Sequence, residues 1–170
     1  MAELRRAEQR LGLVYDTARA FAVSARDPAR LLDTIAARLT RVICDACVVS
    51  LVRPDGRSLV PAALRARDAA VAAVLRDVQV LAPVDLEAPS LTARVLASGG
   101  AAVLSVLDFE RLRAASVPVY ADHLERLGAH SMIVVAMRAE ARVVGALWLV
   151  RYRADSPPFD ARDAELAQIL

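Results

Sequence analysis

The chain contains no lysine and no asparagine, and all 22 of its basic residues are arginine. Without lysine it cannot form a Walker phosphate loop, a Schiff-base lysine or the ATP-binding lysine of a kinase, so the nucleotide-hydrolysing class recedes at the start. Aromatic residues make up only 4% of the 170 positions. The arginines are interspersed with 20 acidic residues to a net charge of +2, with no block of like charge and no aromatic-basic interleaving of the kind a nucleic-acid groove uses, so no direct nucleic-acid contact is expected. No apolar run approaches the roughly 20 residues of a membrane span. The N-terminus, with Glu3, Arg5, Arg6, Glu8 and Arg10, lacks a secretory pattern, which makes a cytoplasmic location the expectation. Only two cysteines and two histidines are present. Cys44 and Cys47 form a Cys-x-x-Cys, but no second pair and no strand-helix redox context follows, so they read as structural thiols and no metal site is expected. His123 reads as a half-exposed helix residue and His130 as a strand-entry residue, although either imidazole could serve as a ligand or base.

What the sequence does have is apolar residues, 56% of the total, enough for one domain over 1–170 with a sizeable core. The strongest signal runs from His130 to Arg151, two apolar runs rich in β-branched residues separated by a charged interruption at Arg138 to Arg142. This is a hairpin of two long strands. With Glu140 and Ala141 as the turn, facing residues have numbers that sum to 281: Val134 opposite Leu147, Met132 opposite Leu149, Ile133 opposite Trp148, Ala136 opposite Gly145. Both faces of the hairpin are apolar, which demands a covering layer on each side and puts the hairpin at the centre of a sheet.

Around that centre the chain orders itself as follows. Met1 to about Ser24 is helical, with Leu4, Leu11 and Ala18 on one seven-residue spacing and Ala7, Val14 and Phe21 on another; the stripe fits a dimerising helix or one packed on its own sheet. Asp27-Pro28 opens a second helix whose inward stripe is Leu31, Leu32, Ile35, Leu39, Val42 and Ile43. Strands at about 46–53 and 57–64 flank the turn Pro54-Asp55-Gly56, and Pro61 marks the second as an edge strand or the site of a bulge. Asp68 caps a short helix through Arg76, with 78–84 extended or irregular. Pro89-Ser90 begins a helix with Leu91, Val95 and Leu96 inward, stopped by Gly99-Gly100, and a strand follows at 101–106. Residues 108–128 read as one or two helical turns and then a helix from about Pro118 to Gly128. Phe159-Asp160, with Asp163 three positions on, starts a terminal helix. That helix ends on Leu166, Ile169 and Leu170 with nothing after them, which suggests that a longer protein continues.

The segments SLTARVLASGGAAVLSVLD, GAHSMIVVAMRAEARVVGALWLV and SPPFDARDAELAQIL, in this order and spacing, resemble a GAF domain, the sensor module of bacterial signalling proteins such as histidine kinases. The resemblance covers nearly the whole chain. It implies an α+β fold: a central antiparallel sheet of five or six strands, the terminal helices on one face and crossover helices over a ligand pocket on the other. It further implies a non-catalytic small-molecule sensor controlling a fused or downstream output in a two-component system. The pocket would be lined by Tyr120, His123, Leu124, Leu127, Ser131, Leu147 and Leu149, and a homodimer would form through Leu4, Leu11, Val14, Phe21, Leu166 and Ile169 on the terminal helices. Cyclic nucleotide is not expected, because the motif of the branch that binds it requires asparagine and lysine. Covalent bilin is not expected either, since Tyr120 stands where the bilin-binding relatives have His and no suitably placed Cys exists; haem or another tetrapyrrole is left open. Two alternatives stand beside the sensor: an enzyme resembling free methionine-R-sulfoxide reductase, and a purely dimerising module.

Overall fold

The computed structural model describes residues 27–81, 83–139 and 141–169. The seam residues Leu4, Leu11, Val14 and Phe21 lie outside them, as does Leu170. Six helices and five strands are found among the described residues, in the order α1 (Pro28–Val42), β1 (Ala46–Val52), β2 (Leu59–Ala66), α2 (Ala69–Leu81), α3 (Leu91–Ser98), β3 (Ala101–Leu104), α4 (Phe109–Ala115), α5 (Pro118–Arg126), β4 (Ser131–Ala139), β5 (Arg142–Arg151) and α6 (Ala161–Ile169). The strands form one antiparallel sheet, β2-β1-β5-β4-β3. No helix among the described residues is long and apolar enough to cross a membrane.

Local chemistry sets most of the boundaries. Asp27 accepts a hydrogen bond from the Arg30 amide at 3.1 Å and Pro28 fills the first helical position, so α1 begins where a cap and a proline coincide. Ser90 caps α3 through the Ala93 amide at 3.0 Å, and Gly99 closes it in the left-handed conformation, φ 64°. At the start of α6 the Asp160 and Asp163 side chains exchange hydrogen bonds with each other's amides, at 3.0 and 3.3 Å, a reciprocal capping pair. Pro61 sits on edge strand β2, where the pairing with β1 slips so that Ala62 is the extra residue.

Two elements differ from the sequence reading. α2 continues five residues past Arg76, because Leu75, Val78 and Gln79 are buried at helical spacing; tertiary burial overrides the extended preference of the valines. β3 ends at Leu104 rather than at Val106, which is 79% exposed.

The hairpin differs in register. Ala139 faces Arg142 as expected, but Val144 bulges out of β5, and beyond it Met137 faces Gly145, Val134 faces Trp148 and Ile133 faces Leu149. Every pair past the bulge is therefore displaced by one residue from the expected set, and a one-residue slip exchanges the faces of one strand relative to the other.

Both faces of the sheet are covered. On one side Cys47, Val49, Ile133, Val135, Leu147 and Leu149 pack with α1 and with Phe159 and α6. On the other, Ala46, Val48, Met132, Val134, Ala136 and Val150 pack under α2, α3, α4 and α5.

Two buried polar groups fasten the open end of the hairpin to the rest of the chain. Asp45 accepts hydrogen bonds from the amides of Tyr152 and Arg153 and from the Ser156 hydroxyl, each at 3.0 Å, with Arg67 3.4 Å away. Arg151 donates twice to the Ile43 carbonyl, at 3.0 and 2.8 Å, and once to that of Pro157, at 2.6 Å. Its guanidinium lies 3.9 Å from the centre of the Phe159 ring and 3.5 Å from the Asp163 carboxylate. Burial draws its pKa below the usual arginine value, while Asp163 works in the opposite direction. No cue in the sequence set this arginine apart from the other 21.

Candidate functional site

The crossover helices do not close fully on the sheet, and a cavity of about 250 Å³ remains between them. Its floor is the crossover face of the sheet, Val48 and Ser50 from β1, Met132 and Val134 from β4, Trp148 and Val150 from β5. α2 contributes Leu75, Val78 and Gln79, and α5 contributes Tyr120, His123 and Leu124. These last three stand at i, i+3 and i+4, so one face of a short helix presents all of them. No arginine is found among the described residues lining the cavity, although the chain has 22. Its wall is apolar except for a few hydroxyls, one amide, one imidazole, the Trp148 indole and the carboxylate of Asp85.

The residues expected to line a pocket divide between the two faces. Tyr120, His123 and Leu124 line the cavity; Leu127 packs into the same crossover core but not on the cavity wall. Leu147 and Leu149 belong to the opposite face, buried against α1 and α6. Ser131 turns the same way: its hydroxyl donates to the Leu104 carbonyl and accepts from the Phe159 amide, holding the entry to α6. The bulge at Val144 brings these three onto one face; in the expected register Ser131 would lie across the sheet from Leu147 and Leu149. Nor does the sequence say which face carries the cavity, because both faces are equally apolar. The residues it missed on the true floor are Met132, Val134, Trp148 and Val150, their immediate neighbours, together with Ser50 and Gln79.

The polar groups of the cavity differ in how they are held. The His123 Nδ1 lies 2.7 Å from the Val119 carbonyl; a carbonyl only accepts, so Nδ1 carries the proton and Nε2 is the ring's remaining polar atom. His130, by contrast, lies off the cavity, with Nε2 3.1 Å from the Arg153 carbonyl. Gln79 and Ser50 are only 9% and 4% exposed, and neither side chain forms a hydrogen bond among the described residues. Burial pushes the Tyr120 phenol up to about 12. Tyr152, whose hydroxyl donates to Asp68 at 2.8 Å, is also pushed up to about 12, by burial first and by that bond second.

Because both phenols titrate higher in the folded chain than the ordinary value of about 10, the folded state keeps its protons longer than the unfolded one. Their stabilisation is complete below about pH 10 and is lost as the pH rises towards 12. Denaturation midpoints should therefore hold up to about pH 10 and then fall, and the fall should be shallower in Tyr120→Phe. An equally steep fall in that variant would assign it to other groups.

Both cysteines lie away from the cavity, in the core beneath α1 and α6. Burial, and then the neighbouring Cys44, raise the Cys47 thiol well above its ordinary range, which keeps it protonated and unreactive. No group of three or more metal-ligating side chains occurs among the described residues.

Comparison with known proteins places this architecture. The family model described as GAF domain matches residues 27–170. No curated protein matches. Among solved structures, the GAF domain of a phosphoenolpyruvate-protein phosphotransferase from Coxiella burnetii is similar over 95% of this chain and 87% of its own, at 14% identity and a TM-score of 0.65. The second GAF domain of DevS from Mycobacterium smegmatis is similar over 84% of this chain and 86% of its own, at 21% identity and a TM-score of 0.56. The free methionine-R-sulfoxide reductase from Neisseria meningitidis, solved in complex with its substrate, is similar over 90% and 82%, at 21% identity and a TM-score of 0.58.

Proposed function

The chain belongs to the GAF family, and from that premise we propose that it is a non-catalytic sensory module in which a small molecule held in the cavity biases the terminal helices, and through them a fused or downstream signalling output such as a histidine kinase. The observation that carries this reading is the continuity of β5. Trp148 and Val150 form part of the cavity floor, and the next residue, Arg151, grips the Ile43 and Pro157 carbonyls, Phe159 and Asp163 at the entry to α6. A ligand that contacts the floor differently in two arrangements of α6 shifts their balance by that difference in affinity, and by no more.

The enzyme reading, thiol-based sulfoxide reduction, requires a reactive cysteine in the pocket. This chain has two cysteines, and both lie across the sheet from the cavity, which favours the sensor. The proposed homodimer joins terminal helices of two copies. Leu166 is 7% exposed within the protein's own core, whereas Ile169 is 68% exposed, so α6 offers a partner Ile169 and not Leu166.

Thermal-shift screening of the full chain against metabolites, nucleotides and haem tests the sensory reading, followed by hydrogen exchange on any compound that binds. A bound compound is expected to raise the melting temperature and to change exchange in 161–169. If nothing binds, or if binding leaves those amides unchanged, sensing fails and a dimerising role takes its place; sedimentation at tens of micromolar would then have to show a dimer.

A further inference from the structure

Two polar side chains stand out in an otherwise apolar cavity because each lines it with polar atoms that no protein group among the described residues engages. Gln79 on α2 and Ser50 on β1 are 9% and 4% exposed and both line the cavity, yet neither forms a side-chain hydrogen bond among the described residues. Facing the cavity with no protein partner, the amide and the hydroxyl are free to bind whatever occupies it. The amide offers two N–H donors and a carbonyl acceptor in one plane, and the hydroxyl can do either. Such a primary amide pairs two-pronged with a flat edge that carries a donor beside an acceptor, as glutamine does with a base edge.

Size and charge narrow the class. A cavity of about 150 Å³ accommodates benzene, so about 250 Å³ accommodates two fused rings and falls well short of a porphyrin. With no arginine on the described wall, a phosphate or carboxylate would be buried without a counter-charge, which is strongly unfavourable. Trp148 and Tyr120 add ring surfaces to the wall, and flat apolar ligands pack well against such rings.

Resting on the sensory reading of the same cavity, we propose that its ligand is a compact, uncharged bicyclic heteroaromatic with an N–H donor beside a carbonyl acceptor, recognised by the Gln79 amide with Ser50 as a second hydrogen-bonding contact.

Calorimetry on the full chain with 2-quinolinone, its N-methyl derivative and naphthalene tests this. The lactam is expected to bind roughly tenfold or more tightly than the N-methyl compound, which lacks the donor. Gln79→Met should abolish that preference while leaving naphthalene binding intact, and should not lower the melting temperature, since no protein hydrogen bond is lost. Ser50→Ala should weaken the lactam several-fold and supplies a second, independent variant should the first not fold. Equal binding of the lactam and its N-methyl derivative, or a preference that survives Gln79→Met, would overturn the assignment. If the quinolinone does not bind but a nucleotide or haem does, the ligand class is wrong while the sensory reading stands. If no compound of either kind binds, both fall.

Discussion

Arg151→Met is expected to destabilise the protein by about 3–5 kcal/mol, the range for breaking a buried, hydrogen-bonded charge pair by removing one partner. Methionine keeps much of the apolar stem, so the loss reports on the guanidinium. Three things go together: the two hydrogen bonds to the Ile43 carbonyl, the one to Pro157, and the positive charge facing the Phe159 ring and the Asp163 carboxylate. The carbonyls lose charge-assisted donors, which are worth more than neutral ones. Chemical denaturation measures the effect directly. The double variant Arg151→Met, Asp163→Asn should cost less than the sum of the two single changes, because they share one network. Strict additivity, or a loss under 1 kcal/mol for the single change, would mean that the cluster contributes packing only. Hydrogen exchange adds a second readout: protection in α6 should fall more than protection in α1, since Arg151 holds the approach to α6 from within the sheet.

Gly145→Ala is the other change with a large expected effect. It lies in the middle of the sheet, facing Leu51 of β1 and Met137 of β4, one residue past the bulge at Val144. A Cβ at this position would lie 2.3 Å from the Ser50 carbonyl oxygen and 3.2 Å from the Leu51 Cα. These are backbone atoms of a neighbouring strand, and no side-chain rotation relieves the overlap. Either β1 moves away from β5 or the bulge rearranges, so a loss of about 2–4 kcal/mol follows from a single methyl group. For a chain of this size each kcal/mol lowers the melting temperature by about 2–4 °C, which puts the expected fall at roughly 5–15 °C. Because Ser50 also lines the cavity, the displacement reaches the ligand site, and the lactam preference should weaken with the stability. A melting temperature within about 2 °C of the parent would show that β1 yields freely at this point.

Among the described residues, the sequence by itself determined the elements and their order. Caps, prolines and glycines act over three or four residues, so Asp27-Pro28, Ser90, Gly99-Gly100 and the Asp160-Asp163 pair mark their helix ends without knowledge of the rest of the fold. Pro61 likewise marked β2 as an edge strand or the site of a bulge, because a missing amide hydrogen is tolerated only there, and β2 is both. The absence of lysine bounded the chemistry in the same local way.

Only the tertiary structure decided which face of the sheet carries the cavity. Alternation separates Ile133 and Val135 from Met132 and Val134 in β4, and Leu147 and Leu149 from Trp148 and Val150 in β5, but the sets are equally apolar, and which β4 set joins which β5 set, and which helical layer covers them, is decided by the register and by helices distant in sequence. The register was hidden for a similar reason. The bulge at Val144 answers the approach of β1 to Gly145, a contact between residues almost a hundred positions apart. α2 continues past Arg76 because Leu75, Val78 and Gln79 are buried at helical spacing, and Arg151 and Gln79 look like ordinary surface residues until the fold surrounds them. Burial and the partners a side chain meets are properties of a place in space, and nothing within a few residues of either position encodes them.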